Sequence, residues 1–421
     1  MRARSSLFQR LPALGRRLQS TTPTIRSMAS VSRAEKPRVV VLGTGWGSYS
    51  LLRGLKPDSM DISVVSPRNC MLFTPLLAST SVGTLEFRSV VEHVRPTVRQ
   101  KRAAFHLARC TQIDTKSRTI TCASVLDEHT YELPYDRLVV GVGARSSTFG
   151  IPGVEEHAHF MKEIEHAQRV RRKIIENFEL ATQPGTPPDE VRRLVHFVVI
   201  GGGPTGIEFS AELHDFLEQD LARFFPSVSG LARVSIVEAG EILSFFDQEL
   251  RAFAESKITS RRRMEILHER VTRVAADRVV LASGREIESG LTVWSAGVGP
   301  QPLVEALPWP KSQQQRLLVD DRLRALAVPD GSVLALGDCC HIQDNPLPAT
   351  AQVAEVQGRY VARALNDWAS AVASGSPAPD PGPFRFATKG MLAYLGGYSA
   401  LTQLGAAKWK GLLSWVLWRS A

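Results

Sequence analysis

Two glycine-rich segments carry the residues best suited to chemistry, and that chemistry is nucleotide binding. The first is G-T-G-W-G-S at 43–48 and the second is G-G-G-P-T-G at 201–206. In such a segment one glycine allows a tight turn and another lets the backbone approach a pyrophosphate, which free N–H groups of the following helix then bind. Both segments therefore predict a dinucleotide site, although Ser48 stands where a third glycine is usual in the first.

The second segment has the fuller pattern. Gly201, Gly203 and Gly206 fill all three glycine positions, and the next predicted strand ends in Glu238. A carboxylate there accepts hydrogen bonds from an adenosine ribose and repels a 2′-phosphate, so NADH is favoured over NADPH. The interval from Gly206 to Glu238 is long, which predicts an extended helix through 212–227.

The elements that must position these loops are short buried strands. Apolar runs at 38–42 and 195–200 lead directly into the two glycine segments. The strand predicted at 62–65 ends in Ser66 rather than in the acid that normally binds a ribose. Strand-to-glycine turns that return the chain from each nucleotide half to the other are predicted at 138–144 and 292–297, and a strand followed by Gly-Asp is predicted at 333–338.

Two nucleotide units in one chain indicate a flavoprotein that passes electrons from a nicotinamide to a flavin. Asp338 follows the last strand-to-glycine turn and could hydrogen-bond the ribityl or pyrophosphate-side groups of the flavin. The alternative for Asp338 is a simple helix cap.

At this point the sequence resembles the type II NADH:quinone oxidoreductases, the single-chain alternative NADH dehydrogenases of mitochondria, plastids and bacteria. Motifs from residue 38 to the end carry the resemblance, and two of them, F-T-P-L-L and A-Q-V-A, are more specific than the glycine loops. The matching motifs stand at 43–48, 66–77, 149–154, 201–209, 336–339, 348–358 and 392–396.

The resemblance implies FAD as cofactor in the first unit and NADH as substrate in the second. The FAD site would comprise Gly43, Thr44, Gly45, Trp46, Ser66, Arg68, Phe73, Thr74, Pro75, Gly143, Ala144, Gly337, Asp338, Ala351 and Gln352. The NADH site would comprise Gly201, Gly203, Pro204, Thr205, Gly206, Glu208, Glu238 and Gly297.

The resemblance also implies the reaction: hydride passes from NADH to the flavin, and two electrons then pass to ubiquinone or plastoquinone. Glu208 would lie close to the nicotinamide and the flavin ring, or else only compensate the helix dipole. Gln352 and Gln357 would line the quinone tunnel on the other flavin face; without the resemblance they are ordinary polar helix residues. These three are the expected catalytic residues.

The expected fold class is α/β, with two Rossmann-like dinucleotide-binding domains and a C-terminal membrane-associating segment. The predicted divisions are a transit peptide at 1–36, an FAD domain at 37–165 and 326–383, an NADH domain at 166–325, and an apparently truncated anchor at 384–421.

Positive charge is concentrated in the leader. Residues 1–36 carry +7 of the formal net charge of +9, and they are rich in Arg and Ser and poor in acids. That composition predicts an organelle transit peptide rather than a nucleic-acid-binding arm. We expect a peripheral protein on the matrix side of the mitochondrial inner membrane, with a plastid as the alternative. No apolar run is long enough to span a bilayer, so proton pumping is not expected.

The C-terminal stretch combines tryptophans with cations. Leu412, Trp415, Val416 and Arg419 follow helical spacing, close to Lys408 and Lys410. This pattern is typical of an interfacial helix, and a helix packed on the flavin domain is the alternative. Peripheral membrane contact through this segment and a homodimer are the expected assemblies.

The cysteines suggest neither a metal nor a redox pair. The five include no C-x-x-C, and His341 beside Cys339 and Cys340 lacks ligand spacing, so no metal site is expected. No calcium loop of the form D-x-D-x-D-G occurs. Two alternatives remain: a sulfide:quinone oxidoreductase, for which Cys122 and Cys339 would have to flank the flavin, and an apoptosis-inducing-factor-like binding flavoprotein.

Overall fold

The computed structural model describes residues 36–420. The predicted transit peptide therefore lies, apart from Lys36, outside the described residues. Within them the strands are β1 Arg38–Leu42, β2 Asp61–Ser66, β3 Cys70–Leu72, β4 Val91–His93, β5 Ala104–Asp114, β6 Thr119–Ser124, β7 Thr130–Pro134, β8 Arg137–Val140, β9 Ala144–Ser146, β10 His159–Phe160, β11 His196–Ile200, β12 Arg233–Val237, β13 Met264–Leu267, β14 Val271–Val274, β15 Arg278–Leu281, β16 Glu286–Glu288, β17 Leu291–Trp294, β18 Val298–Pro300, β19 Leu317–Val319, β20 Val333–Ala335, β21 Cys340–Ile342, β22 Met391–Gly396, β23 Ser399–Leu404 and β24 Ala407–Gly411.

The α-helices of the same residues are α1 Trp46–Gly54, α2 Leu77–Val82, α3 Val94–Gln100, α4 Val154–His157, α5 Ile164–Ala181, α6 Pro188–Leu194, α7 Pro204–Phe216, α8 Ala222–Phe224, α9 Gln248–Thr259, α10 Pro302–Ala306, α11 Ala351–Ser374 and α12 Leu412–Ser420. A π-helical turn at Leu217–Leu221 joins α7 to α8, so the extended helix predicted after Gly206 is present as one run from 204 to 224. Short 3-10 turns occupy Thr74–Leu76, Phe87–Val90, Ser229–Leu231 and Gly337–Cys339.

The first unit is built on a mixed seven-stranded sheet in the order β20-β8-β1-β2-β5-β6-β7. The pairs from β20 to β5 are parallel, and β5, β6 and β7 are antiparallel. Val39 to Leu42 and Leu138 to Val140 are all buried, as expected for strands with both faces covered. The glycine loop after β1 therefore stands at the carboxyl edge of a rigid parallel sheet.

The second unit is a parallel five-stranded sheet in the order β10-β17-β11-β12-β13. Its strands come between β8 and β20 in the chain, although β8 and β20 are neighbours in the first sheet. The strand β10 comes from residues that the sequence assigns to the FAD domain at 37–165. Conversely, Val304 and Leu317 pack in the hydrophobic core of the first unit, although the predicted NADH domain extends to 325. The two return segments pair with each other as β9 and β18.

The C-terminal part forms the antiparallel sheet β22-β23-β24, followed by α12. The helix expected from the spacing of Leu412 to Arg419 is present as α12, and Trp409 precedes it on β24. Trp418 stacks on Tyr394 of β22, with ring centroids 4.7 Å apart, so the helix packs against its own sheet. No helix in the described part of the chain is long and apolar enough to cross a membrane.

Candidate functional site

A cavity of about 2320 Å³ opens between the two units and the C-terminal sheet. All fifteen residues predicted for the FAD site line this cavity. In the sequence only the family resemblance placed these residues together. Five of the residues predicted for NADH also line the cavity, namely Gly203, Pro204, Thr205, Glu208 and Gly297, whereas Gly201, Gly206 and Glu238 lie behind the lining.

The first glycine loop is shaped by the backbone of the neighbouring strand. Gly43 has φ +96°, and a Cβ there would lie 2.4 Å from the carbonyl oxygen of Gly141. At Gly45 the nearest atom to an added Cβ is a guanidinium nitrogen of Arg68 at 3.9 Å, so this backbone faces open space. Ser48 Oγ hydrogen-bonds to Leu42 O at 3.2 Å and lies 3.3 Å from Gly141 O, and it thus ties helix to sheet where a third glycine is usual.

Polar side chains fix the loops around residues 43–48, the glycine loop that we call the first cradle. Thr44 Oγ1 lies 3.0 Å from Ser66 Oγ, which joins the ends of β1 and β2. Trp46 Nε1 donates to Thr74 Oγ1 at 3.1 Å, and the Trp46 ring meets Phe73 with centroids 5.1 Å apart. Ser66 thus has a defined structural role in place of the missing acid.

Two charged residues at the first cradle, Lys162 and Glu163, were not predicted from the sequence, and each pairs with a predicted site residue. Arg68 pairs with Glu163, and Lys162 Nζ lies 3.8 Å from Asp338 Oδ2. Lys162 and Glu163 precede α5, and no glycine signal marks them, so only the fold brings them to the cavity. Asp338 caps nothing here, since it lies within a 3-10 turn and no helix begins at it.

The second glycine loop, residues 201–206, is the second cradle. It also combines a closely packed glycine with one that faces open space. A Cβ at Gly206 would lie 1.9 Å from the carbonyl oxygen of Gly201, whereas a Cβ at Gly203 would have no neighbour within 4 Å. Glu238 accepts the N–H of Gly202 at 2.5 Å and that of Gly240 at 2.8 Å. Its carboxylate is therefore fixed at the end of β12, beside the glycine loop.

Glu208 lines the cavity from the second turn of α7, and its Oε1 accepts the N–H of Tyr394 at 3.3 Å. Burial, with a smaller contribution from the negative charge of Glu212, raises the pKa of Glu208 to about 8 against the lowering effect of the Tyr394 N–H. A carboxylic acid with such a pKa holds its proton at neutral pH, which is a property useful for proton transfer.

The two glutamines of α11 have different environments. Gln352 lines the cavity; its Nε2 donates to Gly390 O at 2.9 Å and its Oε1 accepts from Lys389 N at 3.1 Å. Gln357 is buried outside the lining, and its Oε1 accepts the N–H of Gly337 at 2.7 Å. The structure thus brings Gln352 to the cavity and gives Gln357 a bond that holds the Asp338 turn.

Thiols near the cavity are not poised for nucleophilic chemistry. Cys122 and Cys339 are buried away from it, and Cys110, which does line it, has its pKa raised to about 12 by burial. Among the described residues no cluster of His, Cys, Asp or Glu has the arrangement of a metal site.

The cations expected to rim a membrane-binding helix have partners within the protein. Lys408 Nζ lies 2.7 Å from Asp247 Oδ2, and Lys410 Nζ lies 2.6 Å from Glu249 Oε1. Trp415 and Trp418 line the cavity and are partly exposed. The exposed apolar face of α12 instead consists of Leu412, Leu413, Val416 and Leu417.

Comparisons with known proteins agree with this architecture. Residues 37–358 match the pyridine nucleotide-disulphide oxidoreductase family. The chain is 42% identical to a probable NADH dehydrogenase of Dictyostelium discoideum over 395 residues, which are 92% of this chain and 85% of that protein. It is 40% identical to an internal alternative NAD(P)H-ubiquinone oxidoreductase A1, mitochondrial, of Solanum tuberosum over 432 residues, 96% of this chain and 85% of that protein.

Among solved structures, NDH2 from Plasmodium falciparum in complex with NADH superposes with a TM-score of 0.85 at 24% identity, covering 92% of this chain and 94% of that one. At this identity the likeness concerns the fold.

Proposed function

The chain belongs to the pyridine nucleotide-disulphide oxidoreductase family, and from that premise we propose that it is a type II NADH:quinone oxidoreductase. It oxidises NADH and delivers two electrons to a quinone without pumping protons. One observation carries the proposal: two glycine cradles, each with a backbone glycine facing open space, belong to the rim of one continuous cavity. Such an arrangement suits one dinucleotide that stays and a second that comes and goes.

FAD fits the first cradle. Gly45 leaves room for a pyrophosphate, and the first N–H groups of α1 have no side-chain cap and so remain available to it. When bound, FAD supplies hydride acceptance and two-electron transfer. The chain's own residues bind and orient it: Trp46 and Phe73 close the loop, and Asp338 lines the same cavity.

NADH fits the second cradle, where Gly203 faces open space and Gly206 lets α7 approach β11. We assign Glu238 to the adenosine ribose, and Glu208 to the end of the site nearest the reacting rings. Gln352 lies on the α11 side of the cavity, which suits the quinone.

The half-reactions test the assignment of Gln352. Gln352→Ala should slow quinone reduction while leaving reduction of the flavin by NADH unchanged, because Gln352 stands apart from the second cradle. Stopped-flow spectroscopy of the flavin follows each half-reaction separately. An equal loss in both would contradict a quinone role.

Gln357→Leu provides the contrast. It would leave the buried N–H of Gly337 without an acceptor, which costs about 1–3 kcal/mol. We therefore expect a lower Tm and weaker FAD retention rather than a selective effect on quinone. A selective loss of quinone reduction with unchanged FAD retention would restore Gln357 to the quinone site.

We further propose that the chain is a mitochondrial protein held on the matrix side of the inner membrane. Membrane contact is assigned to the exposed face of α12 formed by Leu412, Leu413, Val416 and Leu417, whose apolar side chains suit the boundary of a lipid bilayer. A homodimer belongs to the same proposal, and light scattering of the detergent-free protein measures it.

A further inference from the structure

The strand β22 forms part of the cavity wall and is bound from both helices that carry the proposed sites. At its start, Gln352 of α11 donates to Gly390 O at 2.9 Å and accepts from Lys389 N at 3.1 Å. Three residues of the strand then line the cavity: Met391, Leu392 and Tyr394. This part of the wall therefore begins beside the residue assigned to the quinone.

The far end of β22 is bound by a carboxylate of the second unit, that of Asp215 near the end of α7. The Tyr394 hydroxyl donates to Asp215 Oδ2 at 2.9 Å, and the N–H of Gly397 donates to the same oxygen at 3.0 Å. About two helical turns earlier on α7, Glu208 accepts the N–H of Tyr394 at 3.3 Å. Side chains of the nicotinamide-binding unit thus hold the end of a strand whose start contacts α11.

Arg261 pairs with Asp215 and lies against the turn that follows β22. Its Nη1 is 2.9 Å from Asp215 Oδ1, and the two side chains are only 10% and 18% exposed. Gly396 and Gly397 have φ of +83° and +55°, and a Cβ at Gly396 would clash with the guanidinium. The turn therefore needs glycine at 396 so that its backbone can approach Arg261.

The electrostatics of Asp215 suit a fixed anchor. Burial alone would raise the pKa of its carboxyl, but hydrogen bonds, first of all from His214, and the charge of Arg261 hold that pKa below its usual value. The carboxylate is therefore ionised at neutral pH. Removal of one partner of such a buried pair leaves the other charge without compensation, so the pair favours a single arrangement of the strand end.

We propose that Asp215 is a positioning residue for quinone reduction, which fixes β22 as a wall of the quinone site. This inference rests on the proposed function. Asp215 acts through Tyr394 and Gly397, because its two oxygens are engaged by these donors and by Arg261. The nicotinamide-binding unit thereby sets the position of a wall that serves the second half-reaction.

Asp215→Asn tests the proposal. The amide keeps the shape but has a single acceptor oxygen, so either Arg261 or the donors at the end of β22 would face an N–H group. We expect KM for a short-chain quinone to rise about tenfold, because a displaced wall binds the quinone poorly. KM for NADH and the rate of flavin reduction should keep their wild-type values, since Gly203 and Glu238 are unchanged. Asp220→Asn, an exposed change on the same helical run, is the matched control expected to behave as wild type.

Tyr394→Phe removes the same contact from the other side and keeps a ring that can stack on Trp418. It should also raise KM for the quinone, and its combination with Asp215→Asn should add little to the larger single effect. Amide hydrogen exchange provides a readout without turnover. Both variants should exchange faster than the wild type in β22 and β23 and at the wild-type rate in β11.

A wild-type KM for the quinone in Asp215→Asn, additive effects in the double variant, or equal losses in the two half-reactions would each overturn the positioning role. Should Asp215→Asn fail to fold, Tyr394→Phe decides alone, because it removes a single hydroxyl. If the wild-type flavin is not reduced by NADH or not reoxidised by quinone, the proposed function itself fails. The two failures are therefore distinguishable.

Discussion

At the scale of single residues, we propose that Glu238 determines the choice between NADH and NADPH. Its carboxylate is fixed by the N–H groups of Gly202 and Gly240, so it cannot turn away from a phosphate on the ribose. Glu238→Gln or Glu238→Ser should relax the preference for NADH by about tenfold, or ~1.4 kcal/mol, measured as the ratio of kcat/KM for NADH and NADPH.

A suitable control for Glu238 is Glu241→Gln in the same loop, where the carboxylate pairs with Arg251. It should leave the cofactor ratio unchanged. An unchanged ratio in the Glu238 variants as well would remove the assignment of Glu238 to the ribose.

The pH dependence of stability provides a second prediction, for Glu208. Its pKa is raised from the ordinary value to about 8, so the folded state binds a proton that the unfolded state releases at lower pH. The stabilisation from this group is complete below the ordinary glutamate pKa and is lost as pH rises through about 8. Glu208→Gln should therefore lose less Tm than the wild type between about pH 6 and about pH 9; equal losses would contradict the raised pKa.

Residue types near a glycine signal were predictable, whereas residues joined by long-range contacts were not. The family resemblance predicted Gly45 and Asp338 for one flavin site, and both line the cavity. Lys162 and Glu212 were missed because their partners are distant in sequence: Asp338 for the first, and Ser79 and Thr84 for the second. The bond from Gly337 N to Gln357 likewise depends on how α11 packs beneath the turn.

At the scale of secondary-structure elements, the loop between β11 and α7 requires glycine at two positions for two different reasons. Gly203→Ala should fold with the wild-type Tm, because the added methyl group meets no protein atom within 4 Å, yet it should raise KM for NADH by about tenfold by occupying the space of the pyrophosphate. Spectroscopic titration and thermal unfolding measure the two effects.

Gly206→Ala is the matched variant. Its methyl group would lie 1.9 Å from Gly201 O, so α7 must move away from β11 at a cost of about 1–3 kcal/mol. Stability and NADH binding should then fall together. NADH binding of wild-type strength in Gly203→Ala would mean that no phosphate approaches this backbone.

Buried strands were predictable as elements because their apolar runs are short and end in glycine turns, as at 38–42 and 195–200. The strand β24 was not, since four of its five residues A-K-W-K-G are exposed and no buried apolar run marks it. Its lysines pair with Asp247 and Glu249 at the start of α9, about 160 residues earlier, and only the tertiary structure reveals those partners. The same pairing gives both lysines partners within the protein.

At the scale of the whole molecule, the net charge says little about binding partners. Most of the +9 lies in residues 1–36, and the remainder of the chain carries about +2. Membrane attachment would then depend on apolar contact more than on attraction to anionic lipid.

The double variant Leu413→Ser and Leu417→Ser tests this attachment. It should weaken binding to lipid vesicles by about tenfold or more, because two exposed leucines are lost from the proposed contact, while NADH oxidation with a water-soluble quinone stays unchanged. Leu126→Ser changes a leucine that is 81% exposed on a distant turn and is the matched control. Equal vesicle binding by all three proteins would place the contact elsewhere.

The central claim is that one cavity accepts electrons from NADH and delivers them to a quinone. Anaerobic titration of the purified flavoprotein with NADH, followed by a short-chain ubiquinone, measures both steps in one cuvette. We predict that NADH bleaches the flavin absorbance, that the quinone restores it, and that sulfide does not bleach it. A flavin bleached by sulfide and not by NADH would indicate a sulfide:quinone oxidoreductase, and a reduced flavin that the quinone does not reoxidise would contradict the account.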